Sequence, residues 1–242
     1  MKPRAGVGLT SVMVALTLTT GMIEAVSFLV LGPVFTAVQT GNLLFLSFAL
    51  TGAAGLSPAA AGVSFAGFTV GALLGSRFES GVDAHGRRWF VPALLVEALL
   101  LGLGGLVAWR TGLDVTGGPA DDPHYTVVAL VAVAMGVRNV TTLRARVPDV
   151  PTTVSTRALT ALLSGLPPHP DSHVGTGARN EGRRLASVVA MFTGGLLGAW
   201  LLLHEEVHPA LVLLIPAALV LALGALYRAL PRRRTPEPSE HG

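Results

Sequence analysis

The sequence predicts an all-α polytopic membrane protein of about six transmembrane helices plus two short re-entrant or broken helices, arranged as two inverted repeats. Three observations predict it. Of 242 residues, 51% are hydrophobic and only 13% charged, where a soluble domain carries about a quarter charged residues. Long windows such as VPALLVEALLLGLGGLVAW (91–109) and PALVLLIPAALVLALGALY (209–227) approach the roughly 20 apolar residues that a bilayer-spanning helix needs. Elements of the first half also recur, in order, in the second.

The N-terminal MKPRAGVGLTSVMVALTLTTGMIEA has the basic start of a signal peptide. It lacks a small-x-small cleavage site and its apolar stretch is too long, so it reads as a retained first span, about 8–31. That span carries Glu24 and gives way to Gly32-Pro33 and the polar Gln39-Thr40-Gly41-Asn42. The apolar run 43–54 that follows would reach only about 18 Å, short of a roughly 30 Å hydrocarbon core. Further spans are predicted at 57–77, 90–110, 124–144, 185–204 and 209–230, with a second short segment, TTVSTRALTALLSGL (152–166), between the fourth and fifth. Residues 1–230 read as a single transmembrane domain, with repeat 1 about 8–110 and repeat 2 about 124–230. The Pro-rich, charged residues 231–242 are expected to form a disordered cytoplasmic tail.

The repeat rests on particular matches. GFTVGALLG (67–75) is echoed by MFTGGLLG (191–198), and PALLV (92–96) by PALVL (209–213). Both of the latter runs close on an aromatic-Arg pair, Trp109-Arg110 and Tyr227-Arg228. Gly21-x-x-Glu24 with Pro33 and Thr40-x-Asn42 matches Gly136-x-x-Asn139 with Pro148 and Ser155-x-Arg157 at constant spacing.

Charge selects the topology. With eight full spans, either orientation leaves arginine-bearing loops outside, against the positive-inside rule. If both short segments enter and return on one side, then Lys2, Arg4, Arg87, Arg88, Arg144, Arg146, Arg179, Arg183, Arg184 and the tail arginines are all cytoplasmic. The acidic loop with Asp114, Asp121 and Asp122 and the His204-Glu205-Glu206 connector are then external. A seven-span alternative, in which 36–54 crosses, misplaces only the N-terminal tail. In the six-span reading each half has three spans, so the halves take opposite orientations, a design common in transporters. Thr40-Gly41-Asn42 would lie near the midplane with Asn42 as the N-cap of a half-helix. The positive dipole end of that half-helix would then favour anions or carbonyl oxygens.

Glu24 shares a helical face with Thr17, Thr20, Gly21 and Ser27. A carboxylate there is expensive in lipid, so the stripe is expected to face the interior, as proton or substrate carboxylate or as a structural glutamate. Arg138 and Arg157 are its candidate counter-ions, and Arg138, Asn139 and Thr142 form the corresponding stripe in the second half. Glu97 is a second buried acid or a helix-packing hydrogen bonder. Gly67, Gly71 and Gly75, with Gly194 and Gly198, read as close helix-packing positions.

Other chemistry is not signalled. The chain has no Cys, hence no thiolate nucleophile and no Cys metal site. HEEVH (204–208) matches the H-E-x-x-H zinc pattern, but that chemistry needs both His on one face of a continuous helix, and Pro209 follows at once. No enzyme activity, metal or cofactor is therefore expected. The sequence pI of about 10.2 comes from 16 Arg set mostly beside spans and without interleaved aromatics. Membrane orientation explains them better than nucleic acid. Oligomeric state is not specified.

The stretch TGMIEAVSFLVLGPVFTAVQTGNLLFLSFAL resembles the opening signature of the YoaK family, the DUF1275 domain of bacterial inner-membrane proteins, and AMGVRNVTTLRARVPDVPTTVSTRALTALLSG resembles its second signature. The similarity covers about 10–230. It implies a multi-pass protein of the bacterial inner membrane, of a family with no established activity. Glu24 stands where the family usually has Asp, which keeps the carboxylate. Thr156-Arg157 stands where Thr-Gly-small is common, which sets a bulky cation in the second break. The expected function is a small-solute membrane transporter or channel for a polar or anionic solute, with proton coupling as one mode open to Glu24. Its path would be lined by Glu24, Gln39, Thr40, Gly41, Asn42, Arg138, Asn139, Thr156 and Arg157. A non-transporting membrane scaffold or regulatory protein is the rival. In either case the bilayer is the partner and both termini are cytoplasmic.

Overall fold

The computed structural model describes residues 7–85, 89–113, 122–145, 147, 155–164, 178–205 and 207–229. The helices are α1 (Val7–Leu29), α2 (Gln39–Leu50), α3 (Pro58–Ala84), α4 (Phe90–Thr111), α5 (Asp122–Ala145), α6 (Ser155–Leu163), α7 (Ala178–Leu203) and α8 (Pro209–Ala229). No strand occurs among the described residues. Six of these helices are long and apolar enough to cross a membrane. The exceptions are α2, with 12 residues, and α6, with 9, which reach about 18 Å and 14 Å. The protein is an all-α, multi-pass membrane protein. The seven-span alternative fails on the length of α2, which starts at Gln39 and stops at Leu50.

Local chemistry sets these limits. After α1 the chain turns at Gly32, whose φ of 108° suits a residue without a Cβ. Val34 N–H then closes a tight turn onto Gly32 C=O across Pro33, at 2.6 Å. Ser57 caps α3 by accepting Ala60 N–H at 3.2 Å, with Pro58 at the first helical position. Two helices outrun their apolar windows. α3 continues to Ala84 and α7 begins at Ala178, because helix persists through the polar residues at their ends while hydropathy does not.

Two apolar clusters mark opposite ends of the bundle. One gathers Leu9, Val12, Met13, Leu16, Trp89, Phe90, Leu94, Ala145 and Val220. The other gathers Ile23, Val26, Val34, Ala60, Leu101, Ala108, Val127, Val131, Leu202, Ala210 and Leu213. α1, α4 and α7 therefore run from the Trp89 end to the Val34 end, and α3, α5 and α8 run back. The segment holding α2 starts and finishes at the Val34 end, whereas α6 follows α5 at the Trp89 end. The first and last described residues also lie at the Trp89 end.

Glycine contacts tie the halves together. A Cβ on Gly21 of α1 would strike Met191 O and the backbone of Gly194 and Gly195 on α7. A Cβ on Gly136 of α5 would strike Phe68 O and the backbone of Gly71 and Ala72 on α3. In return Gly71 lies against Val133, Gly194 against Leu18, Gly75 against Val137, Gly198 against Met22 and Ala25, and Gly67 against Ala129 and Ala132. Thus α1 meets α7 much as α5 meets α3, backbone on backbone, with dispersion in place of the hydrophobic drive that lipid cannot supply. The outward faces carry Leu73, Leu99, Leu106, Phe192, Leu196 and Leu226, all exposed, the surface that hydrocarbon covers.

A single methyl at these crossings is too much. Gly71→Ala and Gly194→Ala are each expected to cost about 1–3 kcal/mol of stability, whereas Gly102→Ala, where a Cβ meets nothing within 4 Å, is expected to be neutral. Thermal unfolding of the detergent-solubilised variants, followed by loss of the monodisperse peak, checks the contrast.

Candidate functional site

Glu24 stands little more than one turn before the end of α1, so its carboxylate lies about 8 Å inside that end. The chain leaving α1 turns at Pro33 and dips back to meet it. Thr36 N–H donates to Glu24 Oε1 at 3.1 Å and to Oε2 at 3.2 Å, Ala37 N–H donates to Oε1 at 2.5 Å, and Thr36 Oγ1 donates to Oε1 at 3.3 Å. Every one of these contacts is accepted by Glu24, three of them from backbone N–H groups. Ser27 Oγ, one turn on, lies 3.0 Å from Thr36 Oγ1 and also donates to Ile23 O.

A second set of bonds fixes the other side of the dip. Phe35 N–H donates to Asn42 Oδ1 at 2.9 Å, and Asn42 Nδ2 donates to Phe35 O, to Gln39 Oε1 at 2.9 Å and to Ser64 Oγ at 3.0 Å. Ser64 Oγ in turn donates to Phe35 O at 2.6 Å, and Gln39 Nε2 donates to Thr36 O at 2.9 Å. Ser64 lies less than two turns into α3, about 9 Å from its start. The two rulers, Glu24 on α1 and Ser64 on α3, agree on how deep the segment enters.

Three expectations change here. Asn42 does not cap the half-helix. Val38 holds the N-cap position without a side-chain bond, and Asn42 sits in the first turn of α2, clasping the loop before it. The helix starts four residues sooner than Leu43 because this clasp and the Glu24 bonds satisfy the backbone that a break would expose. The tip is Thr36 to Gln39 rather than Thr40 to Asn42, and at about 8 Å it stops well short of the middle of a span about 35 Å long. Thr40 is exposed and Gly41 half-buried. The amides before the short helix, the expected anion site, are already occupied by Glu24.

Arg138 makes its ion pair elsewhere, and its charge reaches Glu24 only from a distance. Arg138 donates through Nε at 2.9 Å and Nη2 at 2.5 Å to Glu97 Oε1, and through Nη1 to Leu16 O at 3.1 Å and Thr20 Oγ1 at 2.8 Å. Both members of the ion pair are fully buried. They bolt α1, α4 and α5 together near mid-bundle. Hydropathy could not see this, because Glu97 and Arg138 sit on different helices and the pattern along one helix does not say what faces it. Glu97 Oε2 has no hydrogen-bond partner among the described residues.

A third buried acid was missed. Glu79 accepts Thr141 Oγ1 at 2.5 Å and faces Arg144 Nε at 3.4 Å. Arg144 further reaches Asp83 Oδ2 at 3.2 Å and Ser80 Oγ at 2.8 Å, and stacks over Trp89 at 5.1 Å from the ring centroid. The signal was available: Glu79 continues the four-residue spacing of Gly67, Gly71 and Gly75, the face that packs on α5.

The remaining candidates lie apart from this cluster. Asn139 is half-buried on α5, and its carbonyl accepts Thr142 Oγ1 at 3.0 Å. Thr156 and Arg157 fall in α6, but their side chains lie outside the described residues, as do the backbone of Pro148 and the arginines of the tail. In HEEVH, His204 follows α7 and His208 precedes α8, where its Nδ1 accepts Ala210 N–H at 3.2 Å. Beside Glu24 a groove of about 370 Å³ opens between α1 and α7, lined also by Gly21, Ala25, Phe28, Phe35, Met191 and Ala199.

Two tests follow from these bonds. Arg138→Met alone leaves Glu97 buried without its partner and is expected to cost about 3–5 kcal/mol, while the double change with Glu97→Leu is expected to recover much of it. A thermal-unfolding double-mutant cycle measures the coupling. Glu24→Leu removes the acceptor of two buried amides, each worth about 1–3 kcal/mol when left unsatisfied. Hydrogen exchange in a peptide covering 34–40 should rise strongly in that variant, and less in Glu24→Gln.

The comparisons with known proteins bear on the whole of this architecture. The family described as "Protein of unknown function (DUF1275)" matches residues 12–226. No curated protein and no solved structure gives a match. With most of its length matched, from α1 into α8, the chain belongs to the DUF1275 family.

Proposed function

We propose that this protein is a small-solute membrane transporter or channel whose path lies between two inverted repeats. The observation that carries the reading is the segment 30–38, non-helical backbone held inside a span by the Glu24 carboxylate, next to a groove. Irregular backbone at membrane depth is tolerated only where it is buried in protein or lines a cavity. Helix direction supports the inverted arrangement: repeat 1 starts from the Trp89 end with α2 at the Val34 end, and repeat 2 starts from the Val34 end with α6 at the Trp89 end. Arg144, Arg183, Arg184 and Arg228 cluster at the Trp89 end, against Arg110 at the other. By the positive-inside rule that end is cytoplasmic, and both termini with it. The resemblance to bacterial inner-membrane proteins supports that membrane as the location.

Glu24 is the moving part of this proposal. It alone joins the spanning helix to the tip amides, so whatever weakens its hold loosens the α1 side of the segment, while Asn42 and Ser64 hold the other. A proton does so, because a charge-assisted bond is about twice as strong as a neutral one. A scaffold with no transport is the rival, favoured by the dry Arg138–Glu97 pair, which has the look of a fixed bolt.

Labelling separates the two. The chain has no Cys, so Thr40→Cys can be probed in sealed vesicles with a membrane-impermeant maleimide. Reaction from the Val34 side only, several-fold faster in a Glu24→Gln background, is expected. A residue inert from both sides in both backgrounds would favour the scaffold.

A further inference from the structure

The Glu24 groove has a chemical character of its own. Its walls are apolar, with Phe28, Phe35, Met191, Gly195 and Ala199 among them, and Glu24 is the one polar residue in its lining among the described residues. At about 370 Å³ it falls within the range of small-molecule sites. Phe28 and Phe35 stack at 5.4 Å, and Phe35 stacks on Phe45 at 5.6 Å. Their faces carry negative quadrupole density that attracts a cation within about 6 Å. No Lys, Arg or His of the described residues comes within salt-bridge distance of Glu24. Among the described residues its Oε2 accepts one bond, a shared one from Thr36 N–H, and so keeps acceptor capacity.

We propose that this groove binds an organic cation with an apolar body, its charge on the Glu24 carboxylate and its hydrocarbon against Phe28, Phe35 and Met191. The inference rests on the transport reading and names its substrate class. Charge complementarity decides the class. An anion would meet a carboxylate whose partner amides are already taken. A neutral apolar occupant would leave that carboxylate without a counter-charge in contact, Arg138 acting on it only from a distance. A small polar cation would gain nothing from walls without hydrogen-bonding groups. Room is built in: a Cβ on Gly195 would meet only Gly21 O, at 3.9 Å.

The probe is radiolabelled benzyltrimethylammonium, measured by equilibrium dialysis against the full-length protein in lipid nanodiscs. The competitors are its carbon isostere neopentylbenzene and the anion phenylmethanesulfonate. Saturable binding is expected, at least tenfold weaker in Glu24→Gln and displaced by neither competitor. Ala199→Leu, which narrows the groove and leaves the carboxylate in place, is expected to weaken binding as well and covers the case in which Glu24→Gln misfolds. No saturable binding, undiminished binding in both variants, or displacement by the sulfonate would overturn the proposal. Equal displacement by neopentylbenzene would also overturn it and mark a cleft for lipid chains. Failure here with one-sided labelling of Thr40→Cys retained would remove the cation and leave the pathway. Binding with Thr40→Cys inert would do the reverse.

Discussion

A chain that breaks a helix within a bilayer must supply from its own side chains the hydrogen bonds that water would otherwise give. In this protein Glu24 and Asn42 supply them. The carboxylate takes the amides of Thr36 and Ala37, and the carboxamide takes both backbone groups of Phe35. Without those partners residues 30–38 would have to leave the membrane or become helix. α2 could then no longer begin inside the bundle, and the groove beside Phe28 and Phe35 would lose one wall. A structural need and a site for chemistry thus converge on one carboxylate.

The rest of the bundle is organised so that this segment has a rigid frame. Apolar faces gain little from meeting one another in lipid, so close backbone approach has to hold the helices. Gly21 against Gly194 and Gly195, and Gly136 against Gly71, provide it at two crossings that join the first half to the second. Because α1 leans on α7 rather than on α3, the helix that carries Glu24 and the helix that carries Ser64 are anchored to different partners. The dipping segment bridges them. Its bonds would therefore register any relative movement of the two anchored pairs.

The sequence made the number and order of spans legible because bilayer thickness imposes a length on every crossing helix, and apolar windows report that length directly. It also located the break after Glu24, since Gly32 and Pro33 punctuate the backbone whatever the solvent. What it could not give was partnership. Arg138 and Glu97 come together from helices far apart in sequence, and periodicity along one helix is silent about what faces it. The start of α2 was misplaced for a related reason: Asn42 is a good N-cap by type, but its amide is spent on a long-range clasp with Phe35 and Ser64. Glu79 was hidden by the hydropathy window that ended before it, although the glycine spacing pointed at its face.

The buried acids Glu24 and Glu97 have been given different environments, and the difference locates function better than burial does. Glu97 is answered by a full guanidinium, itself fastened to Leu16 and Thr20, and neither partner can move without exposing an uncompensated charge to a dry interior. That is an arrangement suited to permanence. Among the described residues Glu24 is met in contact only by dipoles, the N–H and O–H groups of a short loop, with the charge of Arg138 acting from farther off, while the groove it borders stays open. Dipoles can be exchanged for a cation or released by a proton at far lower cost than a buried ion pair can be broken. A protein that needed only to hold its helices together would have been served by a second pair like Arg138 and Glu97. A membrane carboxylate with no cation in contact among the described residues leaves that position free to accept one from outside the protein.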